Sequence, residues 1–415
     1  RGAGRGGVTT ALRDLIKNPT TAELELAARY GMQPEDARRE RAFLAFAETG
    51  LPHRRMEAWK WSDFKAALKA LETPKASSAK DPMPHDGALV FRFTPTGFEQ
   101  PTALPDGMRM LSQPTAQAVG GAEDVPLGAL AAALAGGGSR PATLTFEITS
   151  NDLPRLHFVF DGAGEASFVR IIFVVRKGAA INLTESYLGG AGFMSALLEF
   201  SLEEGAHLNR TIYQRGAKDE ALAVTSLLNM DADSEVTQTT LSFGAKISRL
   251  ETRVVHQGAG AKLTLNAAYL SGKGFHTDIT THVRHGAPGC VTRQLTKGAV
   301  LDGGKGVFQG KFFVPRKTGQ QTDADMQHQA LLLEDGAEVF AKPELEIYAD
   351  DVECAHGNTC GALDDAQLFY LRQRGIPEMQ ARGLLTEAFI AEALDTANEA
   401  VRDVLLSEAQ EWLSS

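Results

Sequence analysis

The segment EVTQTTLSFGAKISRLETRVVHQGAGAKLTLNAAYL fills residues 235–270 and contains three nine-residue runs, 235–243, 247–255 and 262–270. Within them apolar or β-branched residues alternate with Thr, Ser, Asn, Gln or Arg, the period-two pattern of a half-buried pleated strand. The runs are joined at Gly244-Ala245 and Gly258-Ala259, connections too short to hold a crossover helix. Further strand-like runs lie upstream: LVFRF (89–93), LTFEI (144–148), LHFVF (156–160), SFVRIIFVV (167–175), INLTESY (181–187) and LNRTIYQ (208–214). Gly-Ala pairs recur at 178–179, 205–206, 286–287, 298–299 and 336–337, several of them near 27 residues apart. Strands without intervening helices and glycine at recurrent corners predict a mainly β fold, a parallel β-helix in which each coil packs only on its neighbours. A β-sandwich is the competing arrangement.

Helical patterns flank this core. Thr21 opens a helix carrying Leu24, Ala27 and Ala28, and Pro34 precedes a second bearing Phe43, Phe46 and Ala47. The run LPHRRMEAWKWSDF (51–64) holds Trp59 and Trp61, which are read as rings anchoring the helical unit onto its neighbour in preference to a partner-binding patch. Residues 1–12 are expected to be a disordered tail or an expression remnant without function. An N-terminal helical unit is expected over 13–72, a Pro/Ser/Lys-rich linker over 73–87, the β-helix core over 88–360 and a C-terminal helical unit over 361–415. PLGALAAALA (126–135) is the one helical interruption of the core, expected to cover an open end of the solenoid. In the C-terminal unit, Asp364 and Asp365 cap a first helix and Pro377 opens a second.

The chain has 415 residues, with 42 Lys and Arg against 52 Asp and Glu, a net charge of −10. Without a dense basic run, nucleic acid is not an expected partner. No stretch reaches the roughly 20 apolar residues that cross a bilayer. The three cysteines, Cys290, Cys354 and Cys360, make no disulfide framework and point to a reducing, cytoplasmic setting.

Lys305–Phe312 (KGVFQGKF) has the composition of a phosphate loop. It lacks the glycine five residues before Gly310, and Phe312 stands where Ser or Thr would meet magnesium, so it cannot bind nucleotide that way. His276, Asp278 and His282 share a strand face, with His285 and His256 nearby; a hydrogen-bonded ladder on an exposed face is favoured over a metal site. Cys354, His356 and Cys360 fall within seven positions and offer thiolate and imidazole, ligands suited to soft or borderline metals.

Residues 307–376 resemble the SufB/SufD family of iron-sulfur cluster scaffold proteins. The resemblance rests on F-x-G-K (Phe308–Lys311), T-D-A (Thr322–Ala324), the leucine run 331–333, KPELEIYADDVECAHG (Lys342–Gly357) and YLRQRGI (Tyr370–Ile376). The run 51–64 is similar to the family's N-terminal segment, so the likeness covers most of the chain. It implies a right-handed parallel β-helix between helical domains, acting as a non-enzymatic subunit without a tightly bound cofactor. It also implies pairing with the sibling SufB through the β-helix and with SufC, an ABC-type ATPase, through the C-terminal helices. Leu368, Phe369, Tyr370, Leu371, Arg372 and Arg374 would be the SufC-docking residues, and ATP-driven motion of SufC would shift the attached scaffolds. A transient iron-sulfur cluster would form at the SufB interface, with His356 first and Cys354 second as ligands. Cys360 and Cys290 inherit no role, and the isolated chain could form a homodimer. The lack of cysteine before Cys290 favours the SufD-type branch over a SufB-type scaffold. A carbohydrate-active β-helix enzyme would need carboxylates lining a groove, and Asp350, Asp351 and Glu353 sit too close to the helical boundary to form one.

Overall fold

The computed structural model of the chain describes residues 16–75, 79–94, 97–111, 121–136, 141, 143–162 and 164–414. The expected tail 1–12 lies outside them. Two long sheets run side by side. One is ordered β19 (Glu353–Gly361), β17 (Asp323–Leu332), β15 (Val291–Val300), β13 (Lys262–Ser271), β11 (Glu235–Gly244), β9 (His207–Gly216), β7 (Ala180–Tyr187), β5 (Arg155–Phe160), β1 (Ala88–Phe93) and β2 (Phe98–Glu99). The other is ordered β18 (Glu338–Ile347), β16 (Lys305–Val314), β14 (His276–His285), β12 (Ile247–His256), β10 (Ala221–Met230), β8 (Phe193–Leu202), β6 (Ala166–Val175), β4 (Leu144–Ile148) and β3 (Met108–Met110). Consecutive strands from β4 onward alternate between the sheets and pair in parallel with the strand one coil away, giving a β-solenoid of about eight turns. The first coils keep a strict 27-residue offset, as in Leu144↔Ile171 and Leu156↔Leu183. The last stretch it, Val291 pairing with Asp323 and Lys305 with Glu338. This is why the repeat looks loose in sequence.

In-register pairing stacks like residues inside the coil. Phe91 lies on Phe158 at 4.6 Å between ring centroids, Phe146 on Phe173 at 5.6 Å, Phe173 on Phe200 at 5.1 Å and Phe160 on Tyr187 at 4.4 Å, all with nearly parallel planes. Beyond this aromatic column the interior turns polar around Arg210, Ser226, Gln238 and Thr252.

The strands are more buried than a half-exposed pleat, because both outer faces are covered. Helices α1 (Thr21–Gly31), α2 (Ala37–Thr49), α3 (Phe64–Ala67) and α4 (Pro126–Leu134) share a core with Phe168, Phe193, Leu197, Ala223 and Leu227 on the β18-to-β3 sheet. Helix α4 therefore lies on the flank of β6, β8 and β10 and does not cover the solenoid's end. Its all-round burial explains an Ala/Leu composition with no polar stripe. Thr20, one residue earlier than expected, caps α1 in a capping box with Glu23. Trp59 is buried with the Arg249 guanidinium 3.8 Å over its ring, and Trp61 stacks on Phe340 of β18. The tryptophan run thus anchors the helical unit on the solenoid.

On the opposite sheet, α6 (Glu378–Leu394) and α7 (Glu399–Ser414) bury Ile390, Leu394, Val401 and Leu405 against Tyr213, Leu241, Phe243 and Leu270. Helix α5 (Asp365–Gln373), capped by Asp364, buries none of its residues.

One expected corner is not a corner. Gly298-Ala299 lies inside β15, where a Cβ on Gly298 would stand 2.1 Å from the Tyr269 ring. The glycine is there to make room for an aromatic side chain on the preceding coil.

Candidate functional site

The last coil of the solenoid is open. Among the described strands β19 pairs only with β17 and β18 only with β16, so each leaves one backbone edge unpaired. Ladder register sets which β19 side chains face the interior. Ala324 and Met326 belong to the interior core and Ala330, on the same face, is buried; they pair with Cys354, His356 and Cys360. Alternation then puts these three, with Asn358, over the mouth of the coil. Cys354 is partly buried against the core, whereas His356 and Cys360 are exposed.

The layer beneath is fixed by hydrogen bonds. Asn358 Oδ1 lies 2.7 Å from His328 Nδ1, and the Tyr269 hydroxyl lies 3.0 Å from His328 Nε2. Burial holds the His328 pKa down to about 4, so its ring is neutral. A neutral ring that gives its Nδ1 proton to the Asn358 carbonyl must accept from Tyr269 at Nε2. At Gly357 a Cβ would stand 2.2 Å from Gln327 Oε1, so the bare backbone lets Gln327 lie against β19 and donate to Asp325. Burial, and then the negative Asp323, push the Cys354 thiol pKa up. Cys354 is therefore a thiol at neutral pH.

Register thus brings Cys354, His356 and Cys360 onto one face, including the cysteine that the sequence left without a role. Their ligand atoms do not converge into a closed site. Among the described residues, the group of three whose ligand atoms lie within 4.8 Å of one another is elsewhere: Asp81, His85 and His157. Sequence reading missed it, since Asp81 and His85 fall in the run taken as a linker and His157 in an apolar strand. The available signal was an Asp and a His four apart beside two prolines, Pro82 and Pro84.

The expected hydrogen-bonded ladder joins only His276 and Asp278, through the Ser62 hydroxyl, and it is covered, while His282 is half-buried. Asp278 is fully buried, accepting from Arg249 Nη1 at 2.9 Å and from the Ser62 hydroxyl, while His276 Nε2 lies 3.0 Å from the same hydroxyl. The helical unit covers this face. His285 turns inward, where it stacks on His256. Lys305–Phe312 forms most of β16, so its amides serve the sheet ladder and not a phosphate cradle.

Of the six residues expected to dock a partner, Leu368 and Leu371 are half-buried and the rest exposed. Phe369 and Tyr370 present 63% and 55% of their surface to solvent. Arg374 covers the Tyr370 ring at 4.3 Å, and Arg372 pairs with Glu378. Tyr348, just past the end of β18, is also exposed and meets Phe313 edge-on.

Comparison with known proteins fits this geometry. The family model "SUF system FeS cluster assembly, SufBD core domain" matches residues 158–389, from β5 into α6. The iron-sulfur cluster assembly protein SufD of Escherichia coli K12 is 40% identical over 160 residues, 39% of this chain and 37% of that protein. A SufBD family protein of Synechocystis is 32% identical over 242 residues, 54% and 52% of the two chains. The chloroplastic protein ABCI7 of Arabidopsis thaliana is 30% identical over 240 residues, 56% and 50%. The matching segments span between about a third and a half of these relatives' lengths.

Proposed function

The chain belongs to the SufBD family of iron-sulfur cluster assembly proteins, and from that premise we propose that it is a SufD-type, non-catalytic scaffold subunit working in the cytoplasm. The observation that carries the reading is the open last coil, where unpaired edges of β18 and β19 flank Cys354 and His356. Edge strands of this kind are templates for another chain. In the proposed complex that chain is SufB, whose side chains complete the half-site. The solenoid is taken as right-handed, the sense that parallel crossovers almost always adopt.

The nascent cluster is cargo, and two groups of this chain serve it. His356 offers an imidazole to iron without a burial penalty. Cys354, a thiol in the free chain, would release its proton to solvent on ligating iron, which makes its ligation pH-dependent. Phe369 and Tyr370 supply the apolar anchor for SufC, the ABC-type ATPase. Helix α5 is joined directly to β19, so movement of SufC would be transmitted to the mouth of the coil.

Co-expression with SufB and SufC is expected to yield a stoichiometric complex, and Phe369→Asp to release SufC while SufB stays bound. Recovery of only the free chain would refute the assignment. His356→Ala is expected to leave the complex assembled and lower its cluster content at least about tenfold, read as iron and sulfide per complex. An unchanged content would remove His356 from the site.

A further inference from the structure

We propose that Asp81, His85 and His157 form a mononuclear site for a zinc-type divalent transition ion, clipping residues 79–88 to the outer face of the solenoid. Asp81 Oδ2 lies 2.9 Å from His85 Nε2 and 3.4 Å from His157 Nε2. Ligands about 2.0–2.1 Å from a tetrahedral zinc stand roughly 3.3–3.4 Å from each other, so the Asp81–His157 separation already suits a shared ion and exposed His85, now hydrogen-bonded to Asp81, would move out by about half an ångström to admit it. The Ser186 hydroxyl is 3.0 Å from the same His157 nitrogen. Two imidazoles and a carboxylate are a donor set that zinc and its first-row neighbours accept.

The site is built rather than incidental. The side chains of His157 and Asp81 are 0% and 3% exposed, so neither is a surface charge meeting a partner by chance. His157 Nε2 is the nitrogen that faces Asp81 and Ser186. His85 stands edge-on to it, 5.1 Å between centroids and 42% exposed, leaving solvent access to one coordination position. The two nearby cations have other partners: Arg155 donates to the Pro84 carbonyl and the Thr184 hydroxyl, and Arg92 donates to Asp161.

Placement gives the ion a purpose. Asp81 and His85 come from the run joining the N-terminal helices to β1, and His157 from β5, the next strand of the sheet. That run is otherwise held by a few anchors: Met83 is buried, and the Ala79 amide donates to the Leu188 carbonyl at 3.0 Å. An ion bridging both elements would fix the N-terminal unit against the start of the solenoid, far along the coil from His356.

The test uses the full chain expressed alone, stripped with chelator and titrated with Co²⁺ and Zn²⁺. One equivalent should bind, with the visible ligand-field bands of four-coordinate cobalt, and Zn²⁺ should raise the melting temperature. His85→Ala, at an exposed position that leaves the fold intact, should weaken binding by more than about 100-fold and abolish the thermal shift; His356→Ala should keep both. The proposal is overturned if the wild-type chain binds no ion, if His85→Ala binds as well as wild type, or if His356→Ala removes the ion.

Discussion

Acidification from pH 6.5 to 4.5 is expected to destabilise this protein by about 6 kcal/mol, through three imidazoles sealed inside the solenoid. His256, His285 and His328 are each 0% exposed, and burial lowers their pKa values to about 3, 4 and 4. His256 and His285 stack at 5.0 Å, and both direct Nε2 to the Thr292 hydroxyl, at 3.2 and 2.9 Å. A base whose folded pKa lies below its unfolded value near 6.5 binds fewer protons in the native state. Stability is therefore intact above pH 6.5 and falls below it, by up to about 1.4 kcal/mol per pH unit for each ring. Glu251 acts in the same direction at lower pH: it sits between Arg249 and Arg253 with a pKa of about 2 despite its burial, and its contribution is lost below about pH 4.5. Buried Glu199 and Glu220 have raised pKa values and so favour the fold on acidification, two groups against three. Since domains are stable by only about 5–15 kcal/mol, the loss should be visible as a falling urea midpoint between pH 7 and 5. Replacing His256 by Phe should remove about a third of the slope; a midpoint independent of pH would show that these rings accept protons while folded.

Arg210→Met is expected to destabilise the chain by about 3–5 kcal/mol, although no expected partner touches it. The guanidinium is fully buried inside the coil. It donates from Nε and Nη2 to the two Glu185 oxygens at 2.6 and 2.8 Å, and from Nη1 to Ser226 Oγ and Gln238 Oε1, each at 2.8 Å. Its flat face covers the Phe200 ring, and the Tyr187 hydroxyl donates to Glu185. Removing the cation leaves a buried carboxylate unpaired and several acceptors without a donor, which costs far more than the pair itself contributes. The double variant Arg210→Met with Glu185→Gln should recover a substantial part of the loss. Urea denaturation of the two variants decides the matter: a single-variant cost below about 1 kcal/mol, or no recovery in the double, would show that water reaches this part of the interior.

Much of this molecule was legible in sequence because its determinants are local. Alternation in runs such as 235–243 and 262–270 specified strands, and the short glycine corners left no room for helical crossovers. Asp364 announced a helix start through hydrogen bonds to the amides of Ala366 and Gln367. Errors arose where two distant segments meet. Gly298 mimics a corner because the Tyr269 ring that demands it lies one coil away. Helix α4 was placed at an end because sequence does not say which face of which sheet it will cover. His276 and Asp278 read as exposed in sequence because their cover, Ser62, is more than 200 residues distant.

The candidate sites divide along the same line. The chain by itself determined Cys354 and His356 as a pair on one strand face, since residues two apart on a strand always share a side. Only the tertiary structure decided that this face caps an open coil, because that depends on β19 finding a ladder partner in β17 and none beyond it. Only the tertiary structure, too, brought His157 to Asp81 and His85, across more than 70 residues. Strand periodicity is written in neighbouring residues, whereas a ligand shell is written in distances that exist once the coils have stacked.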